Sequence, residues 1–183
     1  MRFFNKKELI GLGIIFGILV IISVPNFALS IKRSRDTTRR TDLGTIVTAM
    51  QLYKETFGDY PASSDGKILA CLKEGEEALV DEVTGRITNF IPCEWGNSSL
   101  YQNISAVPND PHQSLGASYL YLSTGRHFQI FASLEAKDDD EYREEILMRN
   151  LKCGSRICNS GRSQGSTPLE KSLEEYEYEL YAP

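Results

Sequence analysis

Residues 4–25 read FNKKELIGLGIIFGILVIISVP, and this stretch decides how the rest of the chain can fold. No charged side chain stands between Leu9 and Ile31. As a helix that run is about 34 Å long at ~1.5 Å per residue, enough to cross the ~30 Å hydrocarbon layer of a bilayer. It reads as a spanning segment. A cleavable secretory signal would have a shorter apolar region ending at a small-residue cleavage site, whereas Ser23, Val24 and Pro25 lead into more apolar sequence.

Working outward, Glu8 stands at the head of the apolar run, where a carboxylate drawn into lipid unpaired costs on the order of 2 to 3 kcal/mol. An acid in that place is a functional candidate; the plainer alternative seats it among the headgroups beside Lys6 and Lys7. Phe4, Glu8, Gly17 and Pro25, followed by Asn26 and Phe27, give the segment its closest likeness. It resembles the N-terminal segment of type IV pilins and type II secretion pseudopilins. There a phenylalanine opens the processed chain, a glutamate follows four residues on, a glycine nine beyond that, and a Pro-Asn-Phe begins eight later.

The resemblance implies roles residue by residue. Prepilin peptidase would cut between Phe3 and Phe4, making residues 1–3 a short leader. Glu8 would neutralise the free N-terminal amine of a neighbouring subunit during assembly, Gly17 would belong to the same packing segment, and Pro25 would mark where the helix can loosen. In the family the cut follows a glycine, and Phe3 holds that position here.

The chain has 183 residues, so a spanning segment leaves one soluble domain of ordinary size. A net charge of −5 argues against a nucleic-acid protein. The local basic cluster Lys32, Arg33, Arg35, Arg39 and Arg40 is expected to meet phospholipid headgroups or acidic neighbours. Arg2, Lys6 and Lys7 lie on the other side of the apolar run, so charge alone leaves the topology open. The four cysteines, Cys71, Cys93, Cys153 and Cys158, all lie in the soluble part. An even count suggests disulfides formed in an oxidising compartment, with Cys71–Cys93 and Cys153–Cys158 closing local loops, although three connectivities are possible. Zinc is the rival, and Cys153 and Cys158 meet its usual ligand spacing only at the margin.

Beyond Pro25, Leu43, Ile46, Val47, Met50, Tyr53 and Phe57 recur at spacings of three and four, one face of a helix whose other face is polar. This predicts a single helix over 5–57, kinked or loosened around residues 21–25, stopped by Gly58 and Pro61. Tyr53, Gly58, Tyr60 and Pro61 are similar to the helix-ending motif of pseudopilins. Residues 62–97 read as a loop with short helical stretches at 65–72 and 76–83, packed onto the sheet by Trp95; a carbohydrate-binding role for that lone tryptophan is the alternative.

From Leu100 a short helical turn should lead into Pro108-Asn109-Asp110-Pro111, where Asp110 could cap backbone amides. Residues 117–123 and 126–135 alternate as strands around Thr124 and Gly125, predicting an antiparallel hairpin that buries Tyr119, Tyr121, Phe128, Ile130 and Ala132, or the set shifted by one. Its Ala132-Ser133-Leu134-Glu135 close resembles that of pseudopilins. His112 and His127 lack ligand spacing and read as ordinary surface or packing residues. Asp138, Asp139 and Asp140 could serve a calcium ion but are read as the acidic first turn of a helix. The glutamate-rich tail after 166 leaves edge strand, short helix and flexible end open.

Together these readings predict an α+β, pilin-like fold: a long N-terminal helix with a membrane-spanning or filament-core half (4–31) and an amphipathic half (32–57), packed on a small antiparallel sheet in a head (58–183). The resemblance implies a structural subunit of a type IV pilus or pseudopilus, a homo-oligomeric helical filament. The protein would wait in the bacterial inner membrane with an extracytoplasmic head and depend on assembly machinery. A single-pass anchored binding or adhesion module that never polymerises is the alternative. No nucleophile elbow, paired-carboxylate spacing, phosphate loop or metal motif stands out, so neither catalysis nor a metal or other cofactor is expected.

Overall fold

The computed structural model describes residues 6–100 and 106–182. Its first element, α1, runs Lys6–Phe57, 52 residues without interruption. The polar face is rich in threonine, and Thr37, Thr41, Thr45 and Thr48 each return their hydroxyl to the carbonyl four residues back, which satisfies them within the helix. Gly58 ends the helix as predicted: with φ +87° it turns left-handed while its amide still reaches the Lys54 carbonyl at 2.8 Å. Around residues 21–25, where a kink or loosening is expected, the helix continues through Pro25 without a break. Proline removes one backbone bond, and intact turns stand on either side; the Asn26 side-chain amide also donates to the Ile22 carbonyl at 3.1 Å.

The head sits against the second half of α1. Strands β1 (Ala62–Ser64), β2 (Lys67–Cys71) and β3 (Ile91–Pro92) form one antiparallel sheet in that order. Strands β4 (Leu120–Ser123) and β5 (Phe128–Ala132) form the predicted hairpin, and β8 (Ser160–Ser163) extends that sheet antiparallel along β5. Between them come α2 (Glu144–Met148) and a two-stranded ribbon of β6 (Lys152–Cys153) and β7 (Arg156–Ile157). The acidic tail folds as α3 (Leu173–Tyr181), whose N-cap Ser172 accepts from the Glu175 amide.

Several local expectations give way. The helical stretch expected at 65–72 is the β1–β2 hairpin, because Asp65 and Gly66 both take positive φ, at 50° and 75°, as a two-residue primed turn requires. Residues 76–83 hold no helix: an irregular run enters the Val80–Ile87 bridge and a turn at 82–84, where the Asp81 carboxylate accepts from the amides of Val83 and Thr84. The turn between β4 and β5 takes four residues, since Ser123 pairs with Phe128. Asp138–Asp140 cap no helix: α2 begins only at Glu144. The helical turn expected from Leu100 falls on residues 101–105, outside the described residues.

The core has two layers, one on each side of the β5 sheet. On the α1 side, Leu43, Ile46, Met50 and Tyr53 pack with Ile68, Tyr119, Tyr121, Phe128, Ile130 and Ala132, the buried face read from the sequence. Trp95 lies in this layer, its ring edge-on to Tyr119 at 5.7 Å, so it holds its loop to the sheet as expected. On the other side Phe131, Ile146, Leu169 and the Cys153–Cys158 bridge form a smaller layer. Every residue of β5 is therefore buried, and even Gln129 is satisfied, donating to the Pro168 and Lys171 carbonyls. The whole is α+β, one long helix on small antiparallel sheets, consistent with a pilin-like fold.

Candidate functional site: a bare apolar half-helix rooted in a buried ion cluster

The first half of α1 leaves the head. Its apolar window is long enough to cross a membrane and no part of it is buried within the chain. Leu12, Phe16, Leu19 and Ile22 are all more than half exposed. Leaving such a surface in water opposes burial at about 25 cal/mol per Å², so lipid or other helices are its compatible surroundings. Glu8 lies in the first turn, and Gly17 and Pro25 follow on the same bare segment. A Cβ at Gly11, Gly13 or Gly17 would meet nothing within 4 Å, so these glycines serve no packing inside the chain. Phe3 and Phe4 lie outside the described residues.

Where α1 enters the head, it carries a cluster absent from the sequence reading. Arg39 is fully buried and forms a two-pronged pair with Asp110, Nε to Oδ2 at 2.8 Å and Nη2 to Oδ1 at 3.0 Å. Its Nη1 also donates to Asp36 at 2.7 Å and to Glu135 at 2.9 Å. Glu135 is gripped from its other side by Arg35, Nη2 to Oε2 at 2.6 Å. Asp36 accepts in turn from the amides of Glu135 and Ala136, stitching the chain beyond β5 to α1.

Asp110 does cap its turn, taking the His112 amide at 2.7 Å, and His112 contacts Arg156 at 2.8 Å. Three segments distant in sequence thus close on one guanidinium, whose planar fork suits several carboxylates at once.

Electrostatics follow from this packing. Arg35, then Arg39, hold the Glu135 carboxyl down at about 2, against an opposing effect of burial. Burial lowers the Arg39 pKa, but Asp110, Glu135 and Asp36 more than offset it, leaving the guanidinium above its ordinary value. Beside them Tyr119 donates to Asp42 at 2.6 Å; burial raises both, and the neighbouring negative charges raise the tyrosine further.

The basic cluster therefore finds acidic partners largely inside its own chain, with Arg33 on Asp138 at 3.0 Å and Arg40 on Asp139 at 3.3 Å. That also explains the Asp138–Asp140 run, read from sequence as a helix cap: two of its members face the arginines of α1. Periodicity did hold the missed signal. Asp36 and Arg39 continue the Leu43, Ile46, Met50, Tyr53 stripe at the same alternation of three and four, so the buried face of α1 begins with charges.

Both local disulfides form, Cys71 with Cys93 and Cys153 with Cys158, which removes the four thiols as metal ligands. His127 contacts Glu177 of α3 at 2.9 Å and packs edge-on to Tyr176, a packing role. Compared with protein-family models, with curated proteins and with solved structures, the chain matches none.

Proposed function

We propose that this chain is a structural subunit of a type IV pilus or pseudopilus-like filament, held in the inner membrane before assembly and joined to its copies through the first half of α1. The observation that carries this reading is the bare apolar half-helix continuous with a helix that is built into a folded head. A separate, flexibly linked anchor would serve a tethered module equally well. A rigid extension gives each subunit a fixed angle between head and apolar rod, which a regular helical assembly needs. The spacing of Phe4, Glu8, Gly17 and Pro25 supports the same reading, as do two disulfides suited to an oxidising envelope.

In this reading Glu8 pairs with an amine or ammonium group of the next subunit and sets the axial register as that subunit enters. Replacing it by alanine leaves the positive partner in a low-dielectric bundle, a loss of roughly 3 to 5 kcal/mol per contact. Glu8→Ala is expected to insert in the membrane with an unchanged head and to abolish or greatly reduce filaments seen by electron microscopy. Normal filaments from that variant, without wild-type chain present, would sink the register role. A wild-type chain that inserts but never polymerises, with its assembly machinery present, would favour a non-polymerising anchored binding module.

A further inference from the structure

The outer face of α3 is a second largely exposed surface of this molecule. Glu174, Tyr178 and Tyr181 follow one another at spacings of four and three, hence on one side of the helix, with Glu175 beside them. Tyr178 is 76% and Tyr181 57% exposed. Tyrosine faces and carboxylates share one preference, for cations. The helix end strengthens it: the last turn of α3 contains no basic residue, so its partial negative charge is unanswered from within the helix. One cation of the same chain already uses this surface, the Arg126 guanidinium standing 5.5 Å from the Tyr181 ring.

The position of α3 selects the partner. It is fastened by Glu177 to Thr124 and His127 in the β4–β5 turn, and that turn takes the Tyr60 amide on Gly125, just past the end of α1. α3 thus lies at the far pole of the head. At the near pole, Lys32 is exposed and the Arg33 side chain is 67% exposed, paired among the described residues with an equally open Asp138. An ion pair of that kind is worth ~0 to 1 kcal/mol and is readily exchanged. Residues 33 and 57 are about 36 Å apart along α1 at ~1.5 Å per residue.

We propose that the Glu174–Tyr178–Tyr181 face of α3 docks on Lys32 and Arg33 of a second copy displaced along the α1 axis. The two surfaces occupy opposite poles of one head, so the contact is head-to-tail and repeats from copy to copy. It rests on the filament reading above and names head surfaces that the apolar half-helix does not supply.

The test uses the full-length chain in cells that hold its assembly machinery, with sheared filament yield and membrane-inserted, disulfide-intact chain measured together. Wild-type filaments are established first; a wild-type chain that forms none overturns the filament reading and this contact with it. Given wild-type filaments, the pair Glu174→Lys and Glu175→Lys, and separately Lys32→Glu with Arg33→Glu, should each lower yield at least tenfold at unchanged levels of folded chain. All four changes combined should return it to within about threefold of wild type, a recovery that misfolding or faulty insertion would not give. Normal yield from either reversed pair, or no recovery in the combination, overturns the α3 contact and leaves the filament reading standing.

Discussion

Arg39 shows how one side chain can decide a junction. It is completely buried yet faces Asp36, Asp110 and Glu135, so the cost of dehydrating the guanidinium is offset only while all three segments stay in place. Arg39→Ala leaves three carboxylates crowded without their cation and should cost roughly 3 to 5 kcal/mol of head stability. Arg39→Lys should recover little of it, because an ammonium cannot match the fork that holds Asp110 through two nitrogens. Urea unfolding of the three proteins checks both; a lysine variant near wild type would mean that charge alone suffices. Glu135 gives the same cluster a pH signature. Its folded value of about 2 lies below the ordinary 4.5, so the unfolded chain binds a proton first as pH falls. Its stabilisation is therefore complete above pH 4.5 and lost on descending through pH 2. For a side chain only 10% exposed the gap corresponds to roughly 3 kcal/mol. Glu135→Gln should be less stable than wild type at pH 7 and should lose less on acidification from pH 5 to pH 2.5. Equal acid losses in the two proteins would remove Glu135 as the cause.

At the scale of elements, legibility followed the strength of local signals. The helix α1, Lys6–Phe57, could be read because its apolar stripe and its Gly58 stop are set by residues close in sequence, and β4–β5 because large side chains alternate along both strands. The β1–β2 hairpin was missed although Asp65-Gly66 is a strong two-residue turn signal, since flanking strands this short carry too little alternation to outweigh an apparent helical period. β8 was unreadable for a different reason: Ser160-Gly161-Arg162-Ser163 has no strand character of its own and is a strand because it completes β5. Gly161 fits there since a Cβ would come within 2.7 Å of Phe131. The ion cluster was hidden because Asp110 and Glu135 are distant from Arg39 in sequence, even though Arg39 lay in plain view on the apolar stripe. Both disulfides could be proposed because each spans a local loop. The Cys71–Cys93 bridge ties β2 to the segment entering Trp95, and a loop of that length lowers unfolded-state entropy by roughly 3 kcal/mol. Replacing both cysteines by serine should lower head stability by about that amount, read from the urea midpoint; no change would place the tie in the packing of Trp95 instead.

The molecule divides in one place along a continuous helix. Every buried residue of α1 lies between Asp36 and Tyr53, and the preceding turns contribute no buried side chain among the described residues. The α1 contribution to the core of the head therefore comes from residues from Asp36 onward, while the apolar half gains no burial from the head. A chain starting at Lys32 keeps Arg35, Asp36 and Arg39 with their partners, both disulfides and both core layers. What it loses, from Lys6 to Ile31, is about seven turns of unburied helix at ~3.6 residues per turn, whose backbone bonds are local and whose side chains are not buried in the head. Such a fragment is expected to be soluble without detergent, monomeric by sedimentation, free of titratable thiols and cooperative in thermal unfolding. The full chain is expected in the membrane fraction and to need detergent. Starting instead at Gly44 removes the ion cluster from α1 and leaves Asp110 and Glu135 facing no arginine of that helix, so that shorter fragment should fail to fold cooperatively. A fragment from Lys32 that is unfolded, while the full chain in detergent is folded, would show that the apolar half also stabilises the head. Equal stability of the fragments from Lys32 and Gly44 would instead remove the Arg39 cluster as the root that fixes the helix in the head.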